Sequence, residues 1–241
     1  MASPSSWRVG EDLVQIVDGH VALPEGMTTI PEEAFSDCSW LVSITIPALV
    51  TTIGNRAFLK CCSLVHISIP SSITAIGDGA FAYCSSLVSI SIPSSVAAIG
   101  NRAFLYCSSL VSISIPSSVT AIGNVAFMHC VSLVSISIPS STTAIGAFAF
   151  ADCSSLLSIT IPTTADVHLS AFGDHTNVSI VARERMRAQE RLCLWRVRWF
   201  NTRRVALYWL GMAAERSYAP GGAGRKRDRD AFEHDMRLLA A

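Results

Sequence analysis

Residues 107–129 read CSSLVSISIPSSVTAIGNVAFMH, and this line decides the fold because the chain repeats it with small changes. Pro24, Pro47, Pro70, Pro93, Pro116, Pro139 and Pro162 stand 23 residues apart. Phe35, Phe58, Phe81, Phe104, Phe127 and Phe150 keep the same step, as do Cys38, Cys61, Cys84, Cys107, Cys130 and Cys153. A fixed period of this length marks a solenoid, in which a line buries its apolar side chains only against the lines above and below it.

Within the line, Leu110, Ile113 and Ile115 are apolar, with Ser112 and Ser114 between the isoleucines. Alternation of this kind predicts a short half-buried strand. Pro116 has no N–H and ends the ladder. Val119 and Ile122 point back inside, and Gly123 is expected to take a backbone conformation that other residues resist. Asn124 reads as the N-cap of a short helical piece over VAFMH, with Asn55, Asp78 and Asn101 in the same place in other lines. Stacking like over like then predicts a phenylalanine column, a cysteine column and a parallel sheet with strands about 4.8 Å apart.

The ends differ from the lines. Residues 13–24, LVQIVDGHVALP, read as strand, Asp-Gly turn and strand, which predicts a hairpin-like N-terminal cap over residues 1–23. Residues 24–182 form the solenoid of about six to seven lines. The last line is degraded: Phe172 comes one residue early, and a final strand is expected over residues 177–181. Residues 183–218 are rich in helix formers and read as a basic amphipathic helix covering the solenoid's open end. Residues 219–241 read as a glycine linker and a short terminal helix.

The columns resemble the BspA-like leucine-rich repeats, whose pattern is C-x-x-L-x-x-I-x-I-P, then V-x-x-I-G, then A-F. Residues 24–182 carry it. The resemblance implies an α/β leucine-rich-repeat solenoid, curved, with a parallel β-sheet on one face and short helical turns on the other. Here a C-terminal α-helical segment follows it. In bacteria such repeats occur in surface proteins that adhere to host proteins and to other cells. One departure is that Ser72, Ser95, Ser118 and Ser141 replace the asparagine that follows the strand in ordinary leucine-rich repeats.

Half of the residues are apolar and 15% are charged, which excludes a globally disordered chain. The formal net charge of zero is a cancellation. Residues 1–182 carry 4 basic against 11 acidic residues, and residues 183–241 carry 14 against 7. The N-terminus has no apolar run of signal-peptide length. The longest apolar run of the tail, VALYWLGMAA, is about half of the roughly 20 residues a membrane-spanning helix needs. A soluble, cytoplasmic protein is expected.

Candidate chemistry is sparse. The cysteine column lacks CxxC spacing and reads as buried reduced thiols, so no metal or other cofactor is expected; Cys62 and Cys193 lie outside it and are the better candidates for reactivity. His66 replaces a strand serine and should face outward. A pair with Ser43 or Ser89 would lack the third group that orients a catalytic histidine, so no catalytic site is expected. The outward strand positions form two hydroxyl columns. One is Ser43, His66, Ser89, Ser112, Ser135 and Ser158; the other is Thr45, Ser68, Ser91, Ser114, Ser137 and Thr160. They read as a binding face for a protein or peptide, against the plainer reading that small hydroxyls suit an exposed strand; an ice-ordering array is disfavoured because serine dominates.

A candidate basic patch comprises Arg183, Arg185, Arg187, Arg191, Arg196, Arg198, Arg203 and Arg204, interleaved with tryptophans. The expected function is a non-enzymatic scaffold for protein–protein interaction, with no small-molecule substrate. The alternatives are association with an anionic membrane or nucleic acid through the arginine- and tryptophan-rich segment and, as the resemblance implies, surface adhesion.

Overall fold

A segment that alternates serine and isoleucine settles with its isoleucines turned one way, and Val119 and Ile122 bring the chain back toward them. The computed structural model describes residues 4–162, 164–172 and 179–182, all within the compact unit Met1–Val205. It opens with β1 (Ser6–Val9), β2 (Asp12–Val17) and β3 (His20–Ala22), joined antiparallel in that order. Each line then contributes two strands. These are β4 (Thr29–Ile30) and β5 (Ser43–Thr45), β6 (Thr52–Ile53) and β7 (His66–Ile67), β8 (Ala75–Ile76) and β9 (Ser89–Ser91). They continue as β10 (Ala98–Ile99) and β11 (Ser112–Ser114), β12 (Ala121–Ile122) and β13 (Ser135–Ser137). The last are β14 (Ala144–Ile145) and β15 (Ser158–Ile161), β16 (Asp166–Val167) and β17 (Ser179–Ala182).

The even-numbered strands from β4 to β16 make one parallel back sheet of seven. The odd-numbered strands from β5 onward make a parallel front row, which β3 joins through His20 opposite Ser43. The parallel pairings from β3 to β15 keep the 23-residue register, as Ser112 opposite Ser89 and Ile122 opposite Ile99 show; in the degraded last line Ala144 faces Asp166 and Ser158 faces Ser179, steps of 22 and 21. The front row is divided into three hydrogen-bonded runs. At the two joins a single longer bond remains: Val65 N to Val42 O at 3.5 Å and Val134 N to Val111 O at 3.4 Å. The final strand, Ser179–Ala182, pairs with β15; residues 177 and 178 of the expected strand lie outside the described residues.

The short helices expected opposite the front sheet do not form; the described residues contain no helix. Two residues in each line take left-handed backbone, such as Val125 (φ 61°) and His129 (φ 60°), and these interrupt a helical path. The N–H groups of Val125, Phe127 and His129 donate instead to the carbonyls of Ala147, Ala149 and Ala151 in the next line, at 2.7–3.0 Å. A helix would keep such bonds to itself and leave the next line's carbonyls without donors. The C-terminal α-helical segment expected over residues 183–218, and the linker and terminal helix after it, lie outside the described residues.

Two local readings are corrected with it. Asn124 does not cap a helix: its Oδ1 accepts from Ala147 N at 2.7 Å, and Asn101 Oδ1 accepts from Asn124 N at 2.8 Å. Asp78 and Asn55 serve the following lines in the same way. Gly123 has no left-handed backbone. It is required by close approach, since a Cβ there would lie 2.6 Å from Asn101 N.

The core lies between the two rows of strands. Phe35, Phe58, Phe81, Phe104, Phe127, Phe150 and Phe172 are buried and stack with centroids 5.2–5.9 Å apart. The loosest step is Phe150 to Phe172, where the line is one residue short. The serines that replace the usual asparagine do its linking work: Ser72 Oγ donates to Val50 O at 2.6 Å and Ser118 Oγ to Val96 O at 2.6 Å.

Candidate functional site

The alternation that buries Ile113 and Ile115 turns Ser112 and Ser114 outward, and the in-register pairing aligns each with its counterpart one line away. The candidate binding residues therefore lie on the outer side of the front row. Ser43, Ser89 and Thr160 are half-buried there, and the other nine residues of the two columns are exposed. Beside them runs an apolar stripe that the sequence reading passed over: Val42, Val65, Val88, Val111, Val134 and Leu157, all at least 36% exposed. Its signal was available, since each member follows a buried leucine at the repeat step.

Two serine–histidine contacts cross this face. His20 Nδ1 bonds Ser43 Oγ, and His66 Nδ1 stands 3.4 Å from Ser89 Oγ. No acidic side chain contacts either imidazole among the described residues, so neither histidine has the partner a nucleophilic triad requires.

At the N-terminal end of the front row lies an open groove of about 510 Å³. Outward side chains of β2 (Leu13, Gln15, Val17) line one side, and His20, Ser43 and Thr45 line the other. Leu13 and Val17 are 60% and 67% exposed.

The residue before each column cysteine occupies the second left-handed position of its line and points along one edge of the solenoid. Here Lys60 Nζ pairs with Asp37 Oδ1 at 3.0 Å. Tyr83 stacks on Tyr106 at 4.8 Å, Tyr106 stacks on His129 at 4.2 Å, and His129 Nε2 reaches Asp152 Oδ2 at 3.3 Å. On the neighbouring left-handed position Arg56 pairs with Glu33 at 3.0 Å. The sequence reading did not anticipate this edge, although the 23-residue step before the cysteines carries it.

The column cysteines are buried and reduced, while Cys62 is exposed. Burial pushes the Cys153 thiol up to about 12, as it does Cys38 with the Asp37 carboxylate adding to the effect. Cys107 and Cys130 are raised by the same desolvation. Among the described residues no group of three His, Cys, Asp or Glu could hold a metal ion, and no helix is long and apolar enough to cross a membrane. Cys193 and the eight arginines from Arg183 to Arg204 lie outside the described residues.

Similarity to known proteins follows the repeat. The family described as BspA type Leucine rich repeat region matches residues 19–130 and 75–185, in six copies. A crystal structure of a leucine-rich repeat protein from T. pallidum is similar at 26% identity over 74% of this chain and 82% of that one, with a TM-score of 0.58. One from Eubacterium ventriosum shares 26% identity over 73% of this chain and 51% of the other, with a TM-score of 0.57. One from Bacteroides ovatus shares 25% over 74% and 62%, with a TM-score of 0.51. No curated protein is similar in sequence to the chain.

Proposed function

The chain belongs to the BspA-type leucine-rich-repeat family, and from that membership we propose that it is a non-enzymatic scaffold that binds a protein partner across its front sheet. The observation that carries this is the pair of outward hydroxyl columns along the front row, with the exposed valine stripe on the residues just before its strands. Short side chains on a fixed sheet lose little conformational entropy when a partner docks, and the surface offers both hydroxyl groups and apolar area. The Tyr83–Tyr106 edge adds the residue type that most often anchors interfaces. The serine–histidine pairs lack the groups that would make them catalytic, which supports binding over chemistry.

The reading is tested with the full chain immobilised in three forms. These are wild type, Ser112→Glu with Ser114→Glu on the front sheet, and Ala121→Glu on the back sheet. A specific partner should be recovered by wild type and by the back-sheet variant, and lost by the front-sheet variant. Equal recovery by all three would remove the front face from the reading. Loss on replacing the arginines of residues 183–204 by glutamine, with a steep fall of wild-type binding in salt, would assign binding to that segment and to anionic partners instead.

A further inference from the structure

The back sheet runs unbroken from β4 to β16, whereas the front row is cut twice, between β5 and β7 and between β11 and β13. Both cuts show in the bond that ties the residue before each strand to its counterpart one line away. Val88 N to Val65 O, Val111 N to Val88 O and Leu157 N to Val134 O measure 3.0–3.2 Å, but Val65 N to Val42 O and Val134 N to Val111 O stretch to 3.5 and 3.4 Å. The same lines stay close on the back, where Gly77 N reaches Ile53 O and Gly146 N reaches Ile122 O, both at 2.9 Å. The phenylalanine stack is not loosened there either: Phe58 and Phe81 lie 5.2 Å apart, and Phe127 and Phe150 5.3 Å. An N–H held at 3.4–3.5 Å sits at the edge of bonding and opens readily, so the two cuts are seams on the front side alone.

The residue after the column cysteine accounts for where the seams fall. Ser108 and Ser154 hold this place in two lines. Ser108 Oγ and Ser109 N both donate to Ser85 O, at 3.3 and 3.2 Å, and Ser154 Oγ and Ser155 N both donate to Val131 O, at 3.5 and 3.2 Å. Each pair of bonds draws a turn onto the line before it, just ahead of Val111 or Leu157. At the seams the place belongs to Cys62 and Val131. Val131 has no side-chain donor, and Cys62 turns its thiol to Tyr83 O in the following line, 3.5 Å away. Among the described residues neither Ser63 N nor Ser132 N bonds the preceding line. Ser85, at the join of β7 to β9, makes no such bond either, and that join is the shortest of the paired ones, with two residues in register.

We propose that the front row is a jointed surface, in which three hydrogen-bonded blades hinge on the continuous back sheet at seams set by Cys62 and Val131. The blades are β1–β2–β3–β5, β7–β9–β11 and β13–β15–β17. Within the middle blade Ser89 and Ser112 keep a fixed spacing. Ser43 and His66 face each other across one seam, Ser112 and Ser135 across the other, and these spacings change as a seam opens. A ligand lying on one blade meets a rigid face, whereas a protein spanning two blades selects an angle between them. This inference goes beyond the scaffold reading: it concerns the row itself and stands or falls whether or not the face binds a partner.

Amide hydrogen exchange of the full chain, read residue by residue by NMR, tests it. Val65, Val88, Val111 and Val134 each follow a leucine, so their unprotected rates match. Val65 and Val134 should exchange about 10-fold faster or more than Val88 and Val111, while Gly77 and Gly146 stay protected. Val131→Ser should slow Val134 toward the rate of Val111 and leave Val65 unchanged. Cys62→Ser should slow Val65 and leave Val134 unchanged. Equal exchange at all four valines would overturn the proposal. So would fast exchange of Gly77 and Gly146 alongside Val65 and Val134, which would mean that whole lines separate. Failure of either substitution to slow its own valine would overturn it too, because the seams would then not be set by these residues.

Discussion

Cys84 donates its thiol hydrogen to the carbonyl oxygen of Phe58, 3.1 Å away in the preceding line. Cys107 and Phe81, Cys130 and Phe104, and Cys153 and Phe127 repeat the contact at 3.1–3.2 Å. The same carbonyls accept the backbone N–H of the cysteine three residues on, as Cys84 N does to Phe81 O at 3.2 Å. The column therefore selects a residue that is small enough for the space between phenylalanines and still able to donate.

Cys107→Ala should destabilise the chain by about 1–2 kcal/mol, from the lost bond and the small cavity it leaves. Cys107→Ser, which keeps a donor, should lose less. Urea denaturation of the two variants checks this. Equal losses would mean that the thiol only fills space.

Thiol protonation gives the fold an alkaline limit. Folding lifts Cys38 and Cys153 from 9.0 to about 12, so the folded chain holds these protons more tightly than the unfolded one. Their contribution is fully present below pH 9 and is lost as the pH rises from about 9 toward 12. Stability measured by denaturant should fall across that window, and Cys153→Ser should flatten the fall. At pH 8 a thiol reagent should modify Cys62 at once and the column cysteines only on unfolding.

Glycines in this chain do unlike work, and substitution separates them. A Cβ on Gly123 would stand 2.6 Å from Asn101 N and 2.7 Å from Gly100 C, both backbone atoms that cannot step aside without separating two lines. Gly123→Ala should cost about 3 kcal/mol or more, at or above the upper end of overpacking penalties. Gly26 has nothing within 4 Å of a Cβ, and Gly26→Ala should be close to neutral. Thermal melts of both variants against wild type make the comparison.

Much of this architecture was legible because its signals are positional. The 23-residue step placed Phe104 over Phe81 and Phe127, and the alternation at Ser112, Ile113 and Ser114 gave the outward face. The step alone does not say whether a line closes its hydrogen bonds within itself or with its neighbour. Asn124 before VAFMH looks the same in either case, and it was read as a cap for its own line when it serves Ala147 in the next. The back sheet was missed for a related reason: strands of two residues, such as Ala121–Ile122, are too short to show alternation. The groove was hidden because it joins β2 to β5 across residues far apart in sequence, and no pattern within one line encodes it.

The left-handed positions supply the last prediction. Val125 holds φ at 61°, where a β-branched side chain crowds its own backbone, while the equivalent residue two lines earlier is Gly79 at φ 62°. The backbone path there is imposed by the bond from Val125 N to Ala147 O, which does not depend on the side chain. Releasing a left-handed residue from its Cβ is worth roughly 1–2 kcal/mol, and the added freedom of glycine in the unfolded chain takes back about 0.5–1. Val125→Gly should therefore raise stability by up to about 1 kcal/mol, a gain of roughly 2–4 °C in Tm for a chain of this size. The converse change, Gly79→Val, should lower it, although a Cβ there meets nothing closer than Arg56 Cγ at 3.5 Å. Its cost is then conformational rather than steric crowding by neighbours. A fall in Tm for Val125→Gly would show that packing of the valine side chain outweighs the strain in its backbone.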